Sequence, residues 1–110
     1  MNAERVRGHL GMMLLAVLEE GPAHGYALSA ELRSRTGGEV VIAAGSLYPA
    51  LQRLENAGLV VSTWTDNEAR RRREYLLTRD GRMALAQERA EWQSFRNCVD
   101  AVLEGTLHEH

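Results

Sequence analysis

Residues 45–59 constrain the fold of this 110-residue chain more than any other segment, and they read GSLYPALQRLENAGL. Four apolar residues recur there at the spacing of one helix face: Leu47, Ala50, Leu51 and Leu54. Gly58 follows in the position that a left-handed helix cap needs, and Leu59 begins an apolar stretch. The segment therefore predicts a short helix, a glycine stop and the entry to a strand.

The opposite face of this helix is formed by Ser46, Tyr48, Pro49, Gln52 and Arg53. It offers hydrogen-bonding and cationic groups of the kind that contact phosphates and base edges in DNA. A basic run follows the predicted strand, and it consists of Arg70, Arg71, Arg72 and Arg73. A helix followed by an arginine-tipped hairpin is the layout of a winged helix-turn-helix, which indicates DNA binding.

Each candidate contact also has a purely structural interpretation. Ser46 lies in the first turn, where free N–H groups and a hydroxyl hold a phosphate. Tyr48 offers its hydroxyl for the same task, or it is a half-buried ring packed against the wing. Arg53 reaches phosphate or base, or pairs with a nearby glutamate, while Pro49 removes one helix hydrogen bond. The arginine run neutralises phosphates, or it is a solvated tip that blocks edge pairing. Alternation along a strand prevents all four arginines from facing DNA.

The remaining periodicity predicts a mainly α fold with a small β-hairpin. Helices are expected over residues 5–19, 24–35, 44–57 and 79–104, strands over 59–65 and 73–78, and a turn over 66–72. Residues 40–42 form a small strand or an extended linker, and residues 106–110 are expected to fray. The apolar side chains expected to face the core are Leu10, Met13, Leu14, Val17, Leu18, Tyr26, Leu28, Leu32, Tyr75 and Leu77.

The last predicted helix carries a second apolar stripe, formed by Trp92, Phe95, Val99 and Val102. This three-four-three spacing is the a/d seam of a coiled coil, and Leu85 extends it backward by one heptad. We expect this seam to join two chains. Two symmetry-related Trp92 rings either pack there or border a cavity in which a planar small molecule stacks. We divide the chain into a DNA-binding unit, residues 1–78, and a dimerisation helix with its tail, residues 79–110.

The formal net charge of −2 is unfavourable for DNA binding, but the charges are unevenly distributed. Residues 66–82 hold six arginines and four acids, whereas residues 83–110 hold two arginines and five acids. Positive charge therefore concentrates on the hairpin. Every basic residue is an arginine, which suits bidentate contacts with phosphate and guanine. A genome rich in G and C produces the same bias without any functional meaning.

Several classes of protein are excluded by what the sequence lacks. No apolar run reaches the ~18 residues of a membrane-spanning helix, and the first residues do not resemble a signal peptide. We therefore expect a cytoplasmic protein without a membrane partner. Cys98 is the single cysteine and is expected to be a small buried hydrophobe. We expect no metal, no cofactor and no enzymatic activity, because no phosphate loop, acid pair or activated nucleophile is present.

Taken together, these residues resemble the PadR family of bacterial transcriptional regulators, in its short subtype with a single C-terminal helix. The motifs that carry the resemblance are LLAVL at 14–18, GP at 21–22, HGY at 24–26, GSLYPAL at 45–51, LE at 54–55, GLV at 58–60, RRR at 71–73, Tyr75, LT at 77–78, Gly81 and EW at 91–92. Three positions depart from the family pattern: Ala43 before the third helix, and Ala69 and Glu74 beside the arginines.

The resemblance implies a winged-helix homodimer that binds an operator and represses transcription. It implies that the third helix enters the major groove, that the hairpin tip reaches the flanking backbone or minor groove, and that the last helix makes the dimer with the first. We expect an inverted-repeat operator and release by a planar effector at the seam. The alternative is a small-molecule or protein-binding module that keeps the winged-helix scaffold without DNA binding. Glu74 and the acidic balance motivate that alternative.

Overall fold

The computed structural model describes residues 1, 4, 6–67 and 70–105, without the side chains of Asn67 and Arg70. In chain order the elements are α1 (Leu10–Leu18), β1 (Ala23–His24), α2 (Gly25–Arg35), α3 (Ala44–Asn56), β2 (Val60–Asn67), β3 (Arg70–Leu77) and α4 (Arg79–Glu104). The strands form one antiparallel sheet in the order β1-β3-β2. The predicted class, mainly α with a β-hairpin, is confirmed. Among the described residues, no helix is long and apolar enough to cross a bilayer.

A single core holds the first three helices against the sheet. Its most deeply buried side chains come from α1, α2, α3 and β2, and they include Leu14, Leu28, Leu51 and Val60. The predicted stripe on α1 is confirmed, since its members are buried except for Met13, which packs at the edge of the core. Leu85 of α4 belongs to the same core. The first turns of α4 are therefore part of the body, and a division after residue 78 remains a prediction.

The helix that the sequence defined most sharply, α3, has the predicted start and stop. Ala43 precedes it and makes no side-chain hydrogen bond as a cap; its carbonyl accepts from the N–H of Leu47 at 2.9 Å. At the other end Gly58 has a φ of 78°, and the N–H of Leu59 donates to the carbonyl of Leu54 at 2.9 Å. This is a Schellman closure, which needs a left-handed residue. The chain therefore turns sharply from α3 into β2.

The chain enters and leaves the hairpin at one tightly bonded point, which we call the wing root (Gly58, Leu59, Thr78 and Gly81). The Thr78 hydroxyl donates to the carbonyl of Gly58 at 2.7 Å and accepts from the N–H of Gly81 at 2.9 Å. A Cβ on Gly81 would collide with the carbonyl of Leu59. The wing root thus joins the end of α3, both strands of the hairpin and Thr78, which is the N-cap of α4.

Four expectations about the elements were wrong. The strands of the hairpin run to Asn67 and from Arg70, so most of the expected 66–72 turn is strand; residues 68 and 69 lie outside the described residues. The third strand, β1, was not predicted. Helix α1 begins at Leu10, and Arg5, where we expected its start, lies outside the described residues. Of the two alternatives given for residues 40–42, the structure has the linker and not the strand. The tail, 106–110, also lies outside the described part.

The fourth wrong expectation concerns Tyr26, which is 71% exposed instead of facing the core. Leu28 and Leu32, four residues apart, are buried and define the inner face of α2. Tyr26 lies two residues before Leu28, which is more than half a turn around the helix. Its ring is therefore presented on the outer side, beside the hairpin.

Candidate nucleic-acid interface

A cleft of about 630 Å³ separates the hairpin from the starts of α2 and α3. We call it the wing cleft and define it by three aromatic rings and three arginines: Tyr26, Tyr48, Trp64, Arg71, Arg72 and Arg73. The rings of Tyr48 and Trp64 are 45% and 53% exposed. The structure thus brings one predicted residue of α3 and three of the predicted arginines together around one space. Such a combination of fixed rings and guanidinium groups suits a polyanion.

The strand register divides the arginines between the two faces of the hairpin, as alternation requires. Trp64 lies opposite Arg73, and Asp66 lies opposite Arg71, so these side chains share one face. The guanidinium carbons of Arg71 and Arg73 lie 4.8 and 5.1 Å from the centre of the Trp64 ring. Both distances are within the range of a cation–π contact. The side chain of Arg70 is outside the described part of the structure.

Arg73 is also connected to α3. Its Nε–H donates to the hydroxyl of Ser62 at 2.8 Å, and that hydroxyl donates to Oε2 of Glu55 at 2.8 Å. A guanidinium, a hydroxyl and a carboxylate therefore form a short chain from the hairpin to the helix. This chain fixes the angle between the two elements that line the cleft.

Arg72 extends from the other face of the hairpin and contacts His24 at the edge of the wing cleft, with 2.8 Å between Nη1 and Nε2. His24 is also the N-cap of α2, because its Nδ1 accepts from the N–H of Ala27 at 3.4 Å. A neutral imidazole has one ring nitrogen that accepts and one that donates. The guanidinium of Arg72 and the amide of Ala27 are therefore alternative donors to His24. His24 thus makes a structural hydrogen bond at the start of α2, and its contact with the hairpin was not predicted from the sequence.

Tyr48 packs across the first residue of α2. A Cβ built on Gly25 would overlap the phenol ring of Tyr48, so only a glycine lets the ring lie there. Burial raises the pKa of the neighbouring Tyr75, which is 5% exposed beneath the cleft. The two interpretations of Tyr48 are therefore compatible, since its ring is packed and its edge lines the cleft.

The other candidates on α3 face outward. Pro49, Gln52 and Arg53 are exposed, and Ser46 is half-buried. The amide of Gln52 donates to Oδ1 of Asn56 at 3.0 Å along the same face. The buried stripe of Leu47, Ala50 and Leu51 lies on the opposite side. The amphipathic division of α3 predicted from its sequence is therefore present.

Helix α4 leaves its predicted seam largely uncovered. Trp92, Phe95 and Val102 are 37%, 57% and 80% exposed, and Val99 is half-buried. Trp92 packs edge-on against His9 at 5.2 Å between ring centres. A small hollow of about 220 Å³ beside it is lined in part by Glu88 and Glu91. Cys98, which we expected to be buried, is exposed on this chain.

One ion pair ties the body to α4. Nη2 of Arg89 donates to Oε1 of Glu19 at 3.0 Å, and Nη1 donates to the other carboxylate oxygen at 3.3 Å. The hydrogen bond from Arg89 holds the pKa of Glu19 below its usual value, and the same bond raises the pKa of Arg89. No cluster of metal-ligating side chains occurs among the residues that the structure describes.

Comparison with known proteins decides what this architecture is. The model of the family described as "Transcriptional regulator PadR-like family" matches residues 14–87. The chain belongs to the PadR-like family. It is thus a transcriptional regulator rather than an enzyme, and the family resemblance drawn from the sequence is confirmed.

Individual PadR-like proteins agree with this assignment. The transcriptional regulator Rv3488 of Mycobacterium tuberculosis is 36% identical over 102 residues, which cover 93% of this chain and 90% of that protein. A PadR family regulator from Eggerthella lenta has a crystal structure that superposes with a TM-score of 0.81 at 37% identity, covering 92% of this chain and 87% of that one. A transcriptional regulator from Clostridium thermocellum gives 0.79 at 29% identity, covering 94% and 98%.

Reasoning from the sequence missed three residues that line or border the cleft: His24 as a hairpin contact, Tyr26 and Trp64. The signal for Trp64 lay in the register. A hairpin centred on residues 68 and 69 puts Trp64 opposite Arg73, whereas the shorter strands that we predicted leave Trp64 next to a long turn. The outward position of Tyr26 could have been predicted from its spacing, because it lies more than half a turn around α2 from the buried Leu28.

Proposed function

We propose that this PadR-like regulator binds an inverted-repeat DNA operator as a homodimer and thereby represses transcription. The supporting observation is the wing cleft, in which Tyr48 of α3 and Arg71, Arg72 and Arg73 of the hairpin line one space. A duplex whose major groove receives α3 brings its phosphates to this cleft. Ser46, Tyr48, Pro49, Gln52 and Arg53 form the helix contact, and two or three of the four arginines at 70–73 form the backbone contact.

The homodimer is supported by α4. A stripe of exposed apolar residues on a 26-residue helix is the kind of surface that a second amphipathic helix covers. We assign Trp92, Phe95, Val99 and Val102 to this interface. Two-fold symmetry then requires an inverted repeat, with half-site centres about 34–36 Å apart, one turn of DNA, or a multiple of that distance.

Release of DNA by a small molecule belongs to the same proposal. Trp92 lies at the predicted dimer axis beside two carboxylates, Glu88 and Glu91, so a planar cationic or apolar effector fits its surroundings. Such an effector releases DNA only if it binds better to a dimer whose two α3 helices are wrongly spaced for the operator. Its addition should then weaken the complex without unfolding either chain.

The test is an electrophoretic shift with DNA from the region upstream of the chain's own gene. The double variant Arg71→Ala/Arg72→Ala should weaken binding to all sequences alike and should lower the slope of log K against log salt by about 1.8, since each lost phosphate contact removes ~0.9. The matched control is Arg33→Ala/Arg96→Ala, which removes the same charge from exposed positions outside the cleft.

A reduction of equal size in the control would mean that net charge alone drives binding. A parent protein that binds no DNA at low salt, but whose tryptophan emission is quenched by planar compounds, would instead be the small-molecule module that keeps only the scaffold. A salt-sensitive shift that depends on the cleft arginines rules out that module.

A further inference from the structure

The hairpin carries an indole that the proposed contacts with DNA do not yet use. Trp64 is 53% exposed and lies on β2, with two guanidinium groups of β3 at 4.8 and 5.1 Å from the centre of its ring. Leaving half of a tryptophan in water forgoes a large part of the favourable burial of its ring. Its position is nevertheless well defined, because the register fixes Arg73 opposite it and places Arg71 diagonally beside it.

The contacts with the ring leave the arginines able to bind an anion. The N–H groups of a guanidinium lie in its own plane and point outward, so a cation–π contact does not occupy all of them. Arg73 uses one of its five N–H groups on Ser62. Arg71 is 3.8 Å from Asp66, and both side chains are mainly exposed, so that ion pair is weak. Both arginines therefore have N–H groups available beside the exposed indole.

We infer that Trp64 is itself a DNA-backbone contact: its indole packs on a deoxyribose while Arg71 and Arg73, held by the ring, bind the phosphates on either side. The inference rests on the DNA-binding function proposed above and adds a residue to it. A deoxyribose offers an apolar surface with a negative phosphate on either side. The hairpin offers an apolar ring with two positive guanidinium groups beside it. This contact carries no base specificity, so it positions the hairpin on any sequence.

The competing role for Trp64 is structural. The same two cation–π contacts would stabilise the hairpin in the absence of any DNA. A structural role predicts a change in stability upon substitution. It predicts neither a direct response of the indole to DNA nor a change in the number of phosphates bound. These two quantities separate the alternatives.

The first experiment observes the unaltered sequence. The chain contains two tryptophans, so labelling with 5-fluorotryptophan gives two ¹⁹F signals, and the variant Trp64→Phe identifies one of them. We add a mixed-sequence duplex of about 30 base pairs, roughly three helical turns, at low salt. The Trp64 signal should shift, and its accessibility to a soluble quencher should fall. Trp92, on α4 outside the wing cleft, is compared by its accessibility to the quencher, because a change in dimer spacing can also shift its signal.

The second experiment counts phosphates. Trp64→Ala should lower the slope of log K against log salt by about 0.9–1.8, as one or both arginines lose their position, while Trp64→Phe should keep most of the slope. Val61→Ala is the matched control, since Val61 is 48% exposed on the same strand but on the opposite face. It should leave the slope unchanged.

The outcomes are distinct. If the duplex binds with an arginine-dependent salt slope while the Trp64 signal and the Trp64→Ala slope stay unchanged, the inference is wrong and the proposed DNA-binding function stands. If no duplex binds to the parent protein, the proposed function fails, and the inference fails with it. If the signal shifts and the slope falls only in Trp64→Ala, the contact is established.

Discussion

The winged-helix body and the second half of α4 use their apolar residues in opposite ways. In the body, Leu14, Leu28 and Leu51 have no exposed surface, and they pack against residues of the same chain. In α4, Phe95 and Val102 are 57% and 80% exposed at the spacing of a coiled-coil seam. The body therefore obtains its stability from contacts that a single chain supplies. The described part of the same chain leaves the apolar residues in the second half of α4 largely uncovered.

The largest expected effect comes from a cavity in the body. Leu51→Ala removes a fully buried side chain and should lower the free energy of unfolding by about 2–5 kcal/mol. Val102→Ala, measured in urea at a concentration below dimer formation, should change it by less than about 0.5 kcal/mol. Equal losses for the two variants would break the comparison, because they would show that Val102 contributes to stability within the single chain as much as a core residue does.

The next effect concerns association. Val102→Glu places a charge at the C-terminal end of the predicted seam and should weaken the dimer by about 2–4 kcal/mol, roughly 30-fold to 1,000-fold in the dissociation constant measured by sedimentation equilibrium. Met83→Glu is the control, since Met83 is also exposed on α4 but lies off the stripe. A dimer that tolerates Val102→Glu as well as Met83→Glu would place the interface elsewhere.

The smallest effect lies where the two regions meet, at the pair formed by Glu19 and Arg89. The pKa of Glu19 is lowered from 4.5 in the folded chain, so its contribution to stability is present above the pKa of the unfolded chain. That contribution is lost as pH falls through the folded pKa. The difference in thermal midpoint between the parent and Glu19→Gln should therefore be positive near neutral pH and vanish in acid.

A double-variant cycle completes this test. The double variant Glu19→Gln/Arg89→Gln should be as stable as Glu19→Gln alone, because the single variant has already lost the ion pair. Because both side chains are largely in solvent, the coupling is small and should weaken with added salt. A coupling that is unaffected by salt would indicate that the pair is covered in the dimer.

The body was predictable where periodicity and turn chemistry agree. The stripe of Leu47, Ala50 and Leu51 fixed α3, and the need for a left-handed residue identified Gly58 as its end. What escaped prediction had no periodic signal. Strand β1 has two residues and exists only because β3 lies beside it. The charged ends of the hairpin strands resemble a solvated turn, yet pairing with each other extends them to Asn67 and from Arg70.

The candidate site was predictable only where a local sequence pattern marks its residues. Residue type and position on α3 identified Tyr48, and the run of arginines identified the hairpin. The partners of those residues depend on tertiary placement. Arg72 reaches His24, which is 48 positions earlier in the sequence, and Arg73 reaches Glu55 through Ser62. No local pattern encodes contacts of this range, and they decide which guanidinium faces the cleft.

The wing root has a mechanical consequence. Thr78 and its neighbours join the end of α3, the base of the hairpin and the start of α4 into one hydrogen-bonded unit. A tilt of α4 therefore moves α3 and the hairpin with it, as a rigid lever. With 26 residues, α4 is about 39 Å long at 1.5 Å per residue. A tilt of only ~5° about its far end would then displace the wing root by about 3 Å, close to the ~3.4 Å spacing of successive base pairs.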